Sequence, residues 1–287
     1  MILVVLLAST TARAERPEWR AEWPKFRPAQ VAFTGGLTLQ VLQGAFLFNE
    51  PTRNFEGGIL FDDPVRDALR LRTRDGRTAA ATASDLMYYA LLAYPLLDAP
   101  IVGGIRGDRV VAIQTLAINL QSYAFTGAFA LAAEKAGRAR PMALECDRDP
   151  SYDRRCGETG RLNTSNVSGH TALAFAGAGL TCVHHLHLPL YGGGAADVAA
   201  CVAGLVVATG SGTLRILSDN HYATDVIAGA ALGLGGGYLL PRLLHYRSAG
   251  RAVSLLPTFR ARESGVAFVV APAVGPSMTG ALVSGTL

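Results

Sequence analysis

The sequence is poor in charge. Asp, Glu, Lys and Arg make up 17% of its 287 residues, whereas hydrophobic residues make up 50%, and the mean hydropathy is +0.27. This composition is more apolar than that of an ordinary cytosolic protein and indicates contact with a membrane. The net charge is +4 and the arginines are scattered. We therefore expect no nucleic-acid partner, since no basic face stands out, while a small anion remains compatible as a ligand.

Cysteine is also scarce, with four residues and no two pairs at the spacing of a zinc site. Cys146 and Cys156 flank a short polar loop, which can close as a disulfide in an oxidising compartment, and two free thiols are the alternative. Cys182 and Cys201 lie in apolar runs, where we expect thiols buried in the core.

The run His184, His185 and His187 is the other pattern that invites a metal. Its spacing does not place the three side chains on one helical face, and no carboxylate converges on them in the sequence. We therefore expect no metal site.

The first residues, MILVVLLASTTARA, are a short apolar run that ends in an A-x-A pattern. This pattern predicts a signal peptide over residues 1–14 and export to the cell envelope. The basic start typical of such peptides is missing, so a misassigned start or a buried N-terminal helix remains the alternative.

No internal repeat or low-complexity run divides the chain. Its long apolar segments are rich in Ala, Gly and Leu and too long for ordinary strands, which predicts helices. They cover 31–48, 85–104, 109–133, 170–188, 195–213 and 223–244. The fold expected is all-α, a bundle of about six core helices, either soluble or membrane-embedded.

We assign residues 27–246 to this helical domain and residues 247–287 to a C-terminal tail. The tail contains VAFVV and ALV, broken by Gly and Pro, which predicts a short β-hairpin.

Three polar clusters occur at ends of the apolar segments. They are GRARP at 137–141, SNVSGHTA at 165–172 and RILSDNHYATD at 215–225. If consecutive helices run antiparallel, all three clusters meet at one end of the bundle. The sequence therefore predicts a composite site.

The residues in these clusters suit phosphoryl transfer. The planar guanidinium groups of Arg140 and Arg215 match phosphate oxygens and neutralise developing charge. His221 and Asp225 are four residues apart on one helical face, so the carboxylate can orient the imidazole as a nucleophile. His170 can protonate the leaving oxygen and later activate water.

Ser168 and Gly169 precede the helix that contains His170. The free N–H groups and positive dipole end of a helix N-terminus favour an anion, so both residues are candidate phosphate-binding residues. Ser168 also suits a helix N-cap.

Together the clusters resemble the three motifs of the phosphatidic acid phosphatase type 2 superfamily, which includes bacterial acid phosphatases and vanadium haloperoxidases. The matching residues, in order and spacing, are Arg140, Pro141, Ser168, Gly169, His170, Arg215, His221 and Asp225. The resemblance implies a helical core and phosphatase chemistry without a metal or other cofactor. It also implies His221 as nucleophile, Asp225 as its orienting partner and His170 as acid and base.

Three positions depart from that pattern. Ala133 stands in place of the motif's lysine, Val167 in place of a proline and Leu214 in place of a serine. The lost lysine removes a phosphate contact and a positive charge. Arg138 is the better substitute for it, and Lys135 is a second candidate that equally suits a cation at a helix C-terminus.

We therefore expect a phosphatase of the cell envelope that acts on a phosphomonoester or diphosphate, either a small molecule or a lipid, through a phosphohistidine. The alternatives are a vanadate-dependent haloperoxidase, with vanadate in the same pocket, and a degenerate member kept as a membrane or scaffold protein.

The membrane topology has three alternatives. If all six segments span and the leader is cleaved, the site lies inside, which conflicts with a disulfide beside it. A first segment that does not span, or a soluble bundle, removes the conflict.

Overall fold

The structure, a computed structural model, describes residues 16–47, 49–106, 108–157, 161–247, 267–275 and 278–286. The signal peptide predicted for residues 1–14 lies outside the described residues.

The described chain is dominated by helices. Each of the six predicted apolar segments coincides with a helix, and two shorter helices, α2 and α5, join them, so the predicted all-helical bundle is confirmed. The bounds are α1 (Pro28–Phe46), α2 (Asp62–Leu69), α3 (Arg74–Ile105), α4 (Arg109–Glu134), α5 (Pro141–Cys146), α6 (Gly169–His187), α7 (Ala195–Leu217), α8 (Ala223–Leu234) and α9 (Leu240–Leu244). A π-helical turn at Gly235–Leu239 joins α8 to α9.

Several of these helices begin where the local sequence supplies a cap. The side chain of Asp108 accepts the backbone N–H groups of Val110 and Val111 at the start of α4. Pro141 occupies the first turn of α5, where its missing N–H has no cost.

Helix α6 lies at the centre, packed against α3, α4, α7 and α8. Its inner positions are alanine and glycine, which allow neighbouring backbones to approach closely. A Cβ on Gly233 would lie 2.2 Å from the carbonyl oxygen of Ala172, and one on Gly237 would lie 2.1 Å from that of Ala176. The glycines after His221 therefore allow α6 to pack closely against the continuous segment formed by α8, the π-helical turn and α9.

Helix α1 runs beside α4 and in the same direction. At its start, the backbone N–H of Phe26 donates to Oε1 of Gln114 at 2.6 Å. Near its end, Gly44 lies against the side chain of Leu131. Residues 16–26 therefore lie at the end of the bundle where α4 begins, opposite the end where α4 terminates. The first segment therefore packs against the bundle along α4.

Among the described residues, four helical segments are long and apolar enough to cross a membrane, judged by length and composition: α3, α4, α7 and the continuous segment from α8 to α9. The large side chains that they expose include many apolar ones, which suits a lipid-facing surface. Among them are Leu97, Ile101, Ile113, Leu120, Phe129, Val202, Val206 and Ile227.

The tail contains two antiparallel strands, β1 (Ala267–Gly275) and β2 (Met278–Thr286). Ala267 pairs with Thr286 and Gly275 with Met278. The predicted hairpin is therefore present.

Two disulfides join parts of the described chain. Cys146 at the end of α5 is bonded to Cys156. Cys182 is bonded to Cys201, so the expectation of two separate core thiols is wrong. The physical reason is the close packing of α6 on α7, which brings the two Cα atoms to 4.2 Å.

Candidate active site

The three polar clusters meet at one end of the bundle. The backbone N–H of Ser165 donates to the carbonyl of Arg138 at 2.9 Å, and that of Ser168 donates to the carbonyl of Asp225 at 3.0 Å. These bonds join the segment after α4, the segment before α6 and the start of α8. The three clusters therefore lie together at one end of the bundle, as antiparallel helices predict.

His221 lies between α7 and α8 and is 3% exposed. Its Nδ1 is 3.6 Å from Oδ2 of Asp225, which is an ion-pair contact longer than a hydrogen bond. Because Nδ1 faces the carboxylate, Nε2 is the ring nitrogen available for attack. Burial lowers the pKa of His221 to about 4, against the opposing effect of Asp225.

The carboxylate of Asp225 is held on several sides. Its Oδ2 accepts the hydroxyl of Ser165 and, at 3.0 Å, the backbone N–H of Tyr222. Its Oδ1 accepts Nη1 of Arg138 at 2.8 Å. This network fixes the orientation of the carboxylate behind His221.

Arg138 therefore has a different place from the one expected. All of its N–H groups are engaged, by Asp62, Asp225, the carbonyl of Gly57 and the hydroxyl of Thr224. The guanidinium is 4% exposed. The expectation that Arg138 replaces the missing lysine on phosphate is corrected: it is a buried partner of two carboxylates.

Lys135 also points elsewhere. It caps the C-terminal end of α4, its side chain is exposed, and its Nζ donates to the backbone carbonyl of Asn49 at 3.3 Å. The structure therefore gives Lys135 a contact with the chain after α1 instead of a place beside His221.

Arg140 lies at the start of α5. Its Nε donates to the hydroxyl of Thr164 at 3.1 Å, and its Nη1 to Oδ1 of Asn220 at 3.3 Å. Burial lowers the pKa of Arg140 to about 10, so the side chain is still charged near neutral pH. Its hydrogen-bond partners are neutral, and the anionic group that acts on it is the nearby carboxylate of Glu134.

Arg215 and His170 share a partner that the sequence did not reveal. Nε2 of His170 is 3.2 Å from Oδ1 of Asp85 on α3, and the same oxygen accepts Nη2 of Arg215. The ring of His170 also packs on Tyr88, with centroids 4.6 Å apart. Asp85 lies in no cluster near these residues in sequence, so only the packing of α3 on α6 and α7 brings it here.

Ser168 caps α6: its hydroxyl oxygen accepts the backbone N–H of Thr171 at 3.3 Å. Gly169 is the first helical residue. Both therefore lie at the helix N-terminus beside His170, as the sequence indicates.

Glu134 is a second unexpected neighbour. It is the last residue of α4 and is 7% exposed. A Cβ built on Gly169 would lie 3.4 Å from its Oε1. Arg140 and Arg161 both interact with it electrostatically. A carboxylate thus lies next to the position where the family's lysine is replaced by Ala133.

Three buried polar atoms of these residues have no hydrogen-bond partner among the described residues: Nε of Arg215, Nδ1 of His221 and Oε2 of Glu134. Buried polar groups are almost always paired, and each unpaired one is costly. Nδ1 of His221 faces Asp225, so Nε of Arg215 and Oε2 of Glu134 are the two left for a further polar partner.

Helix α2 contacts the site through hydrogen bonds and an ion pair. Asp62 on α2 accepts the backbone N–H and hydroxyl of Thr224 at the start of α8. Arg66 on α2 forms a two-pronged ion pair with Asp219, at 2.6 and 2.7 Å. Helix α2 therefore fixes both ends of the segment that contains His221.

The loop closed by the Cys146–Cys156 disulfide reaches the site through Arg155. Nη2 of Arg155 donates to the carbonyl of Ser218 at 3.2 Å, and Nη1 donates to the Asn220 side chain that also meets Arg140. The loop thereby positions Asn220.

The histidines at the far end of α6 have structural partners. His184 contacts Tyr246 and Asn119, and His185 lies between Asp98 and Asp197. In the part of the chain that the structure describes, no three His, Cys, Asp or Glu side chains are grouped so that they could hold a metal ion.

Comparison with known proteins agrees with the resemblance seen in the motifs. The family model of the PAP2 superfamily matches residues 113–249, a stretch that contains all three clusters. A lipid A 1-phosphatase of Porphyromonas gingivalis is 40% identical over 80 residues, which is 28% of this chain but only 16% of that relative's length. No solved structure matches the chain.

Proposed function

We propose that this chain, whose residues 113–249 belong to the PAP2 superfamily, is a phosphatase that removes a phosphate group from a lipid. The observation that carries the proposal is the geometry at one end of the bundle. Arg140, Arg215, His170 and His221 lie close enough there to act on one another electrostatically, and Nε of the buried Arg215 has no hydrogen-bond partner among the described residues.

Binding of the phosphate falls to Arg140, Arg215 and the N-terminus of α6. The arginines offer charged donors, and the backbone N–H groups that follow Ser168 offer neutral ones. Arg215 is 5% exposed, so its contact acts on the phosphate in a medium of low dielectric.

In the first step, Nε2 of His221 attacks phosphorus and forms an N–P bond while the P–O bond to the lipid alcohol breaks. Burial lowers the pKa of His170 to about 4, against the opposing effect of Asp85, so its protonated form is the minor one near neutral pH. That form donates its proton to the leaving oxygen, which departs as an alcohol. Asp225 stabilises the positive charge that the His221 ring acquires. The lowered pKa of His221 keeps its ring neutral, and so nucleophilic, near neutral pH.

In the second step, His170, now neutral, takes a proton from water, and the water oxygen attacks phosphorus. The N–P bond breaks and inorganic phosphate is released. His221 regains its neutral ring and His170 its proton, so the cycle closes without a metal or other cofactor.

A membrane location follows from the four apolar helices and from the lipid substrate of the relative. We propose that the site faces the oxidising side of the cell envelope, because the Cys146–Cys156 disulfide lies in the loop that contacts the site. Residues 16–26 then lie at the opposite side of the membrane.

The test is release of phosphate by the purified protein in detergent, with phosphatidate as substrate, combined with trapping of an acid-labile phosphoenzyme. His221→Ala should abolish both signals. His187→Ala is the matched control, because His187 lies at the far end of α6, about 25 Å from His170 at 1.5 Å per residue. Activity retained in His221→Ala would refute the proposed nucleophile.

A further inference from the structure

Helices α3 and α7 enclose a cavity of about 290 Å³. Its walls are Ala90, Leu91 and Tyr94 on α3 and, on α7, small residues that include Ala200 and Ala203. Charged side chains are absent from this lining, and Tyr94 supplies its only side-chain polar group. The cavity is therefore suited to an apolar ligand.

The same two helices lead from the cavity to the candidate active site. At the site end, Asp85 of α3 meets Arg215 of α7. Beside this pair, Ser84, the residue before Asp85 on α3, is hydrogen-bonded to Ser211, one turn before Arg215 on α7. These contacts form a continuous seam between the two helices.

Below the two serines, the thioether of Met87 lies over Gly210, where a Cβ would be 3.4 Å from Sδ. A methionine is flexible and adapts its shape to a neighbour. Met87 thus separates the polar end of the seam from the cavity by a movable side chain.

The cavity begins close to the phosphate-binding groups. Ala90 is five residues beyond Asp85 on α3, which is about 7.5 Å along the helix, and Val207 is eight residues before Arg215 on α7, which is about 12 Å. Both helices are among the four that can cross a membrane. Ala90 and Ala203 are exposed, so the cavity opens on the surface that would face lipid.

We propose that this cavity holds the hydrocarbon tail of the lipid phosphate whose phosphate group lies between Arg140 and Arg215. The proposal rests on the proposed function and adds a binding site for the second half of the substrate. The polar headgroup spans the seam past Met87, and the tail continues along α3 and α7 towards the middle of the membrane.

The size of the cavity fits part of one chain. A water molecule in the liquid occupies about 30 Å³, and a methylene group is of similar size. About 290 Å³ therefore accommodates a segment of roughly eight to ten carbons. The rest of a longer chain would extend into the surrounding lipid.

The cavity orients the substrate more than it attracts it, because a hydrocarbon tail is as well solvated by lipid as by protein. Seating the tail fixes the approach of the phosphate to His221, and small misplacements of a reacting group are costly. Filling the cavity should therefore reduce turnover of long-chain substrates and leave a substrate without a tail unaffected.

The experiment compares dipalmitoyl phosphatidate with p-nitrophenyl phosphate, both assayed by phosphate release in detergent. Ala203→Phe and, separately, Ala90→Phe fill the cavity. Val202→Phe is the matched control, since Val202 is 50% exposed on the same helix but does not line the cavity. We expect kcat/KM for the phosphatidate to fall about tenfold or more in both cavity variants, with p-nitrophenyl phosphate hydrolysis and the control unchanged.

A ratio of the two activities that stays within about twofold of wild type in both cavity variants, whether both activities persist or both fall, would overturn the tail site. The proposed function has a separate readout, since it fails if the wild-type protein hydrolyses neither substrate.

Discussion

Asp85 is the site residue whose role can be tested most sharply, by Asp85→Asn. One of its carboxylate oxygens contacts both Nε2 of His170 and Nη2 of Arg215. The amide keeps the size of the side chain and removes the negative charge. Protonated His170 then loses a stabilising partner, so less of the enzyme contains the acid that the leaving group needs.

The expected loss follows from the geometry. A hydrogen bond to a charged group contributes roughly 1.5–3 kcal/mol. The Asp85 side chain is 43% exposed, so solvent screening places the effect at the lower end, about 1–2 kcal/mol. Since about 1.4 kcal/mol corresponds to a factor of ten in rate, kcat should fall roughly fivefold to thirtyfold.

The assay is the pH dependence of phosphatidate hydrolysis. We expect the basic limb of the kcat profile to move to lower pH in Asp85→Asn, because the charged form of His170 is less stable. Asp75→Asn is the control, as Asp75 is on the same helix and 89% exposed. An unchanged kcat together with tighter inhibition by inorganic phosphate would refute this reasoning, and would mean that Asp85 competes with substrate for Arg215.

Three further predictions concern the surroundings of the site. Burial lowers the pKa of His221 to about 4, so its ring stays neutral above that pH. As the pH is lowered, kcat/KM for p-nitrophenyl phosphate should fall to half of its plateau near pH 4. A fall to half near the ordinary pKa of 6.5 would contradict this. Arg138→Met leaves the carboxylates of Asp62 and Asp225 buried without their cation, so the free energy of unfolding should fall by about 3–5 kcal/mol, seen as a lower melting temperature in detergent; an unchanged melting temperature would argue against the ion pairs. Replacing Cys146 and Cys156 by serine should lower the free energy of unfolding by roughly 3 kcal/mol by the loop-entropy relation, and a melting temperature equal to that of the wild type would contradict this.

At the end of α4 the sequence departs from the motif, and this changes the charge beside the proposed phosphate site. The motif's lysine is replaced by Ala133 and the following residue is a buried carboxylate, Glu134. Arg138, the nearest arginine in sequence, is engaged with Asp62 and Asp225. In the proposed mechanism, the cationic contacts to phosphate therefore fall mainly to Arg140 and Arg215.

The position of the N-terminal residues limits the possible topologies. Helix α1 runs the height of the bundle beside α4, so residues 16–26 and the site lie at opposite ends. If the bundle crosses a membrane, these two regions face opposite sides. Our proposal places the site on the oxidising side because the disulfide-closed loop contacts Asn220.

Much of the fold could be predicted from the sequence because helices depend on local patterns. The apolar segments predicted every long helix, and Asp108 and Ser168 stand at the N-caps of α4 and α6. The short helices α2 and α5 were missed, since an eight-residue and a six-residue helix contain too few turns for a hydrophobic period to show.

The sequence by itself determined which residue types carry the candidate chemistry, because the order and spacing of three motifs survive in the linear chain. Only the tertiary structure decided their partners. Arg138, expected on phosphate, is bound to Asp225. Asp85 of α3 contacts His170, and Cys182 is bonded to Cys201. The physical reason is that a side chain's partner depends on which helix faces it, and that choice is made by packing between segments far apart in sequence.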